Sequence, residues 1–570
     1  MRQGLRDVYS SKHKPTMADN QSDYEAAVTI INATNALDGR EIDYKARDEL
    51  NMLCMQKYLS DLRISDSDLS RLNVIHVSGS KGKGSTCAYC ESILRHHGYK
   101  TGFYSSPHLM EHRERIRIQG RILEKETFAK YFWEVYTTLK ENEKPELEGR
   151  VGGSMTYFRL LTVLALHVFL KENVDVVIWE TGLGGEYDCT NIVRNPVVCG
   201  VTSLALDHVN RLGTSIEQIA WHKAGIFKPG IPAFTVEQPL NAMRVLEERA
   251  RNIRAPLYKC ADLGRYQQQF KLGIEGSKQP LNASLAIQLC STWIGRHEGK
   301  CNSGRRASLV ATQTDYTAVQ LAEPATINAN FVKGLEECEW LGRNQIIAVD
   351  GVTFYLDGAP THDSIQQCAE WFQTKTSLED KEGNVFRILL FYCTSDRDAN
   401  GFLQLLVNCG FNAAVFCTNA IFKEPKCADQ VKKQTAFADS AKRQETFETL
   451  LGNNAKYETS QRDHGEISFK SCAVITIQEA VDWIIKLRDD VKKMSKPHSG
   501  MAKNDPAVKA PVEEMCVRED ATEIGIIDAG NDQATDNNRN RQKQVHVLVT
   551  GSLQIVAGVM WVLKDRQSDR

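Results

Sequence analysis

No stretch of the 570-residue sequence is a clean apolar run of the roughly eighteen residues that a membrane-spanning helix needs. The two most apolar stretches, 157–170 and 545–563, are interrupted by Arg159 and His167 and by His546 and Gln554, so no transmembrane segment is expected. An excess of one charge sign is also lacking. The formal net charge is −2, so any power to bind anions must come from local placement of Lys, Arg and helix ends, and nucleic acid is not an expected partner. The sixteen cysteines lie scattered through apolar segments without the dense spacing of a disulfide scaffold. Cys87 and Cys90, in CAYC, fit buried thiols on one helix face, and a reducing compartment is expected. With 42% apolar and 25% charged residues the composition is that of an ordinary globular protein, and the length favours two or more domains over one core.

The start is basic. Residues 1–16 carry Arg2, Arg6, Lys12 and Lys14 against Asp7 alone, with a second methionine at Met17. A transit peptide has this character, and an unstructured start fits it equally, so 1–22 is read as a flexible terminus and candidate targeting segment. A mitochondrial form beside a cytoplasmic one is therefore an expectation.

From there short β-branched runs alternate with longer amphipathic ones, the pattern of a parallel sheet covered by helices. Leu72–Val77, Val174–Trp179, Val197–Val201 and Ile231–Val236 read as buried strands, and Ser85–His97 and Tyr157–Leu170 as helices. The expected class is α/β: an N-terminal P-loop ATPase domain with a doubly wound, mostly parallel sheet, 23–335, and a smaller Rossmann-like α/β domain, 336–570. In the second domain Gln345–Val349 and Thr353–Leu356 read as a hairpin around Asp350 and Gly351, and Arg387–Tyr392, Ala413–Phe416, Cys472–Ile475 and Val545–Val549 as strands. Two polar stretches, 295–325 and 491–542, read as insertions.

The segment VSGSKGKGST, Val77–Thr86, falls between a predicted strand and a predicted helix. Backbone N–H groups of a glycine-rich turn that opens a helix point at an anion, and Lys83 can reach the outer phosphates of a nucleotide. The full GxxxxGK pattern would need glycine where Val77 stands; Gly82, Lys83, Gly84 and Ser85 match its core.

GSKGKGST is succeeded in order by TGFYSSPHL with ERIRI, YFRLLT, ETGLGGEYDCTN, LDHVNRLG and KAGIFKPG. In this order and spacing the chain resembles the eukaryotic folylpolyglutamate synthase family, within the Mur ligase superfamily, from about residue 25 to the terminal VLVTGSL. The resemblance implies ATP as co-substrate, Mg2+ as cofactor with a monovalent cation as a further candidate, and reduced folates and L-glutamate as substrates of a monomeric enzyme. It places Mg2+ on Glu180, His208 and Ser106, although Ser85 is the candidate by Walker mechanics alone. Lys223, in KAGIF, matches a lysine that the family carries as a carbamate; an unmodified Lys223 paired with phosphate is the rival. Lys83, His208 and Lys223 are the implied catalytic groups. Arg343 and Asp357, in WLGRNQ and YLDGA, would reach the nucleotide from the second domain on closure, and Asn282 is either a contact to the adenine or ribose or an N-cap.

One departure stands out. The family pattern DGAHT is DGAPTH here, with Pro360 at the histidine position and His362 two residues on. The Asp396–Asp398 DRD also matches the family, or is a surface loop. The activity implied is ligation of glutamate to the glutamyl tail of a folate through an acyl phosphate. A bifunctional dihydrofolate/folylpolyglutamate synthase and a catalytically silent folate-binding relative are the alternatives.

Overall fold

A computed structural model of the chain describes residues 20–38, 44–142, 155–266, 268–301, 319–380, 384–395, 397–421, 430–458, 469–494 and 543–568. Residues 1–19 of the candidate targeting segment, 302–318 of the first expected insertion, 495–542 of the second and Asp396 lie outside them. The chain forms two compact units, one of Met1–Gln345, Leu356–Trp371 and Thr550–Arg570, the other of Ile346–Tyr355 and Phe372–Val549.

The first unit is organised by a nine-stranded sheet. Its strands are β1 (Ile75–Ser78), β2 (Thr101–Tyr104), β3 (Ile116–Ile118), β4 (Arg121–Ile122), β5 (Val176–Glu180), β6 (Val198–Val201), β7 (Ala233–Thr235), β8 (Leu257–Lys259) and β9 (Gln320–Leu321). They lie in the order β4-β3-β2-β5-β1-β6-β7-β8-β9. Along the sheet from β2 to β9 every pairing is parallel, and only β3 runs the other way, antiparallel to both β2 and β4. The expected doubly wound, mostly parallel sheet is therefore present.

Both faces of this sheet are covered, which explains why its strands read as continuous apolar runs. Along β5 the alternation of side chains sends Val177 and Trp179 into one core and Val176 and Ile178 into the other. The first core is closed by helices Asn20–Asp38, Tyr44–Asp61, Lys125–Glu141 and Tyr157–Lys171, through Ile31, Met55, Phe128, Phe132, Leu160 and Leu164. The second is closed by Lys83–His96 and Gln279–Cys301, through Tyr89, Ile93, Leu285, Leu289 and Trp293. Burial of each such side chain contributes about 1.5–3 kcal/mol before conformational entropy is charged against it.

Gly102 shows how closely the layers approach. A Cβ there would lie 2.8 Å from the ring of Phe169, so β2 accepts helix Tyr157–Lys171 only because it has glycine at that point. Helix Gln279–Cys301 runs into the stretch expected to be an insertion: His297 stacks on Trp293 at 4.7 Å, and Arg296 donates to the Val197 carbonyl at 3.0 Å.

The second unit carries most of a six-stranded sheet. Its strands, β10 (Gln345–Val349), β11 (Val352–Leu356), β12 (Val385–Phe391), β13 (Ala413–Phe416), β14 (Lys470–Ala473) and β15 (Gln544–Thr550), lie in the order β10-β11-β15-β12-β13-β14. The β10–β11 turn is made by Asp350 (φ 57°) and Gly351 (φ 70°), the two positive φ angles that a tight hairpin demands. No helix of the described residues is long and apolar enough to cross a membrane.

Candidate active site

Open parallel sheets hold ligands beyond the carboxyl ends of their strands, and here β1, β5 and β6 end side by side. Val77 pairs with Glu180 on one flank and Gly200 on the other, so the register of the sheet sets the spacing of the groups at this edge. Beyond Ser78 the chain turns through Gly79 (φ 147°) and Gly82 (φ 87°), conformations that L side chains rarely adopt. A Cβ on Gly79 would lie 1.8 Å from Thr202 Oγ1, and one on Gly82 2.1 Å from Asn282 Oδ1. The Ser80 and Lys81 N–H groups both donate to the Ser203 carbonyl at 3.0 Å, tying the turn to the end of β6.

Gly82 is the N-cap of helix Lys83–His96 and offers no side chain to cap it. The first-turn N–H groups, Gly84 and Ser85 among them, are thus left for an outside acceptor, and the helix dipole makes an anion the favoured one.

Cations gather on the same turn. Lys83 Nζ donates to the Gly79 carbonyl at 3.1 Å, and Lys223 Nζ donates to the same oxygen at 2.7 Å. Lys223 is only 2% exposed, and burial, reinforced by the Lys83 charge, holds its amine well below the usual lysine range. Glu180, the last residue of β5, is buried and accepts one hydrogen bond, from the Ser106 N–H at 3.1 Å. Desolvation raises its pKa, while Lys83, Arg343 and Arg115 act against that rise.

Arg343 and Asp357, read from the sequence as second-domain groups, both belong to the first unit. The Asn344 N–H donates to Asp357 Oδ2 at 3.0 Å and the Gly358 N–H to the Gly342 carbonyl at 3.2 Å, which ties the two segments to each other. Burial raises the Asp357 pKa against the pull of Arg343.

His208 sits apart from Glu180 in its contacts. It heads the one-turn helix Val209–Leu212 at φ 51°, its ring is half exposed, and the charges bearing on it are Asp207, Lys83, Lys223 and Lys81. Asn282 lies within helix Gln279–Cys301, its side chain against Gly82 and its Nδ2 donating to Gln279 Oε1 at 3.1 Å. His362 is exposed where helix His362–Glu379 begins, and Pro360 precedes it. Asp398 caps helix Ala399–Leu406 by accepting from the Gly401 N–H at 3.0 Å.

Among the described residues no three His, Cys, Asp or Glu side chains gather as a metal cluster. A hard dication at this edge would therefore take Glu180 with hydroxyl, water and phosphate oxygens, the donor set that suits magnesium. Buried hydroxyls stand ready. Neither Thr181 Oγ1 nor Thr202 Oγ1 has a hydrogen-bond partner among the described residues, and the two residues come directly after β5 and β6.

Trp340 escaped sequence reasoning. Its ring lies 3.1 Å from where a Gly84 Cβ would be, its carbonyl accepts the Arg343 N–H at 3.2 Å, and the Arg117 guanidinium sits over its ring at 5.0 Å. The only signal was its place three residues before Arg343.

No protein-family model matches the chain. Individual proteins do. The chain is 37% identical to the mitochondrial folylpolyglutamate synthase of Homo sapiens over 97% of its own length and 94% of the relative's. The chain belongs to the folylpolyglutamate synthase family. It is also 40% identical to a putative folylpolyglutamate synthase of Caenorhabditis elegans, over 69% of the chain and 75% of that protein. The fold is that of the Mycobacterium tuberculosis folylpolyglutamate synthase complexed with ADP, at a TM-score of 0.63 and 18% identity over 96% of this chain and 99% of that one. Escherichia coli FolC in complex with DHPP and ADP matches at 0.57 and 22%, over 95% and 98%. Folylpolyglutamate synthases are ATP-dependent ligases that form amide bonds.

Proposed function

We propose that the chain ligates L-glutamate to the glutamyl tail of a reduced folate at the expense of ATP. The reading is carried by 37% identity to a folylpolyglutamate synthase along 97% of the chain. A carboxylate does not condense with an amine in water, because its oxygen is a poor leaving group; phosphorylation supplies a better one. The tail carboxylate attacks the γ-phosphate of ATP, giving an acyl phosphate and ADP. The glutamate amine then attacks the acyl carbon, and phosphate leaves with the new amide in place.

Residues of this chain bind and orient rather than attack. The first-turn N–H groups at Gly82–Ser85 and the Lys83 ammonium take the phosphates, with Arg343 beside them, and Asp357 serves the nucleotide. Glu180, with Ser106, Ser85 and the unpartnered hydroxyls, would hold magnesium, which neutralises charge on the transferring phosphoryl group. His208, facing the three lysines, completes the set. Burial lowers the pKa of Lys223, which favours the neutral amine that adds carbon dioxide, and its carbamate would turn a cation into an anion next to Lys83. Removal of one such preorganised donor costs about 10²–10³ in rate.

The chain acts as a monomer in this reading, on reduced folate, L-glutamate and ATP. A mitochondrial form is supported by the relatives of Homo sapiens and Bos taurus, both named mitochondrial, and by the basic residues 1–16; a cytoplasmic form would start at Met17. Incubation of the purified chain with tetrahydrofolate, labelled glutamate and MgATP should give one ADP per glutamate joined and a lengthened tail. ADP without labelled product overturns the proposal, and label joined to dihydropteroate in a parallel assay would add the bifunctional activity.

A further inference from the structure

A second concavity, of about 470 Å³, opens in the first unit beside the one-turn helix Val209–Leu212 and the helices Ile216–Lys223 and Leu240–Ile253. Small-molecule sites fall at roughly 300–1,000 Å³. Its walls are continuous with the phosphate-turn machinery. The Arg211 and Leu212 N–H groups both donate to the His208 carbonyl at 2.9 Å, His222 directly precedes Lys223, and the Glu186 N–H donates to the His222 carbonyl at 2.8 Å.

The lining is unusual for solvent-facing surface. Trp221 is 37% exposed, yet its ring is fixed: the Arg249 guanidinium lies over it at 4.3 Å, His222 meets it edge-on at 5.2 Å, and Tyr187 lies at 6.3 Å. Arg249 is held by an ion pair with Glu186, and its Nε has no hydrogen-bond partner among the described residues. Arg211 adds a second cation and Asn252 an amide. Glu217 and Glu248 balance the two arginines, so the cleft has no field for a dense polyanion such as a triphosphate. It suits a chain whose carboxylates are spaced along an apolar stem.

We propose that this cleft binds the glutamyl residues behind the reacting end of an oligo-γ-glutamyl tail. Such a tail repeats a carboxylate, an amide and an aliphatic segment. Arg211 and Arg249 would take carboxylates, Asn252 an amide, and Trp221 with Leu212 the methylenes between them. The proposal rests on the ligase reading and adds to it: each glutamate joined lengthens the tail that must be stored while the new end returns to the phosphates, and a cleft walled by the residues next to His208 and Lys223 stores it.

The test compares KM for a monoglutamyl and a pentaglutamyl tetrahydrofolate in the full chain and in Arg211→Ala. Loss of one charge-assisted hydrogen bond should raise the ratio of the pentaglutamyl to the monoglutamyl KM roughly tenfold. Trp221→Ala should do the same, with Trp221→Phe restoring most of the effect. A pterin-free oligo-γ-glutamyl peptide should compete with the long-tailed acceptor in the unsubstituted chain. An unchanged ratio in Arg211→Ala, or absence of competition by the peptide, overturns the cleft assignment while leaving the ligase reading intact. Failure of the unsubstituted chain to extend the monoglutamyl folate would instead remove the reading on which it rests.

Discussion

Lys83 and Lys223 donate to one and the same oxygen, the carbonyl of Gly79, so two lysine amines converge where a phosphate would enter. Burial of Lys223 and the neighbouring Lys83 charge both disfavour a second positive charge there. An incoming phosphate would favour it. Lys83→Ala should therefore lower the rate of ATP-dependent ligation by roughly 10²–10³ while leaving the melting temperature of the nucleotide-free protein unchanged or higher. Steady-state kinetics and calorimetry on the same preparation check both halves, and undiminished ligation would refute the role of Lys83.

Glu180 sets stability against activity. Its carboxyl is pushed up by desolvation, so the fold disfavours the anion that the proposed magnesium site would need. Glu180→Gln keeps the shape and the acceptor for the Ser106 N–H but removes the buried charge. Thermal unfolding without nucleotide should move to higher temperature, and ligation should fall by about 10² or more. A variant that lost stability along with activity would show that the charge is structurally required.

The phosphate turn tolerates no Cβ at Gly82. Gly82→Ala combines a positive φ with an approach of 2.1 Å to Asn282 Oδ1 and should cost about 1–3 kcal/mol of stability and raise the KM for ATP. Pairing it with Asn282→Gly removes the clash but not the backbone strain. Chemical denaturation of the double variant should thus recover part of the loss; no recovery at all would mean that Asn282 is not what closes the turn.

How much of this was legible in the residues depends on the range of the signals. The turn Gly79–Ser85 announced itself because φ, glycine spacing and helix start are all local. The hairpin at Asp350 and Gly351 was legible for the same reason. Strand β2 was not, because TGFY is short and its Gly102 reads as a breaker; the glycine is there for Phe169, 67 positions later in the chain. The helices Asn20–Asp38 and Tyr44–Asp61 lack a marked apolar stripe and are fixed by the tertiary core they join. Trp340 and Thr202 were missed because their importance is one of contact, with Gly84 and Gly79, and contact has no sequence period. The residues named by resemblance fall into two groups joined by Lys83: Ser106, Lys83 and Arg343 bear on Glu180, while Lys223 and His208 both answer to Lys83, Lys81 and Asp207.

Part of the acid sensitivity should trace to His76. It is fully buried on β1, hydrogen-bonded to Thr190 at 3.1 Å, and burial pushes its pKa down from 6.5 to about 3. A base whose pKa is depressed in the fold stays neutral there while the unfolded chain takes up a proton below 6.5. Its contribution is whole above that pH and is lost by up to about 1.4 kcal/mol for each unit of further acidification. His76→Gln should start less stable at neutral pH and show a shallower decline toward pH 5; parallel slopes for the two proteins would place the acid sensitivity elsewhere.

The pairing of Val77 with both Glu180 and Gly200 fixes more than strand order. A slip of β5 by one pleat repeat would withdraw the carboxylate by roughly 6.6 Å, out of reach of a nucleotide held on β1. In the proposed site, reactivity would thus be gauged by the backbone ladder at the centre of the sheet.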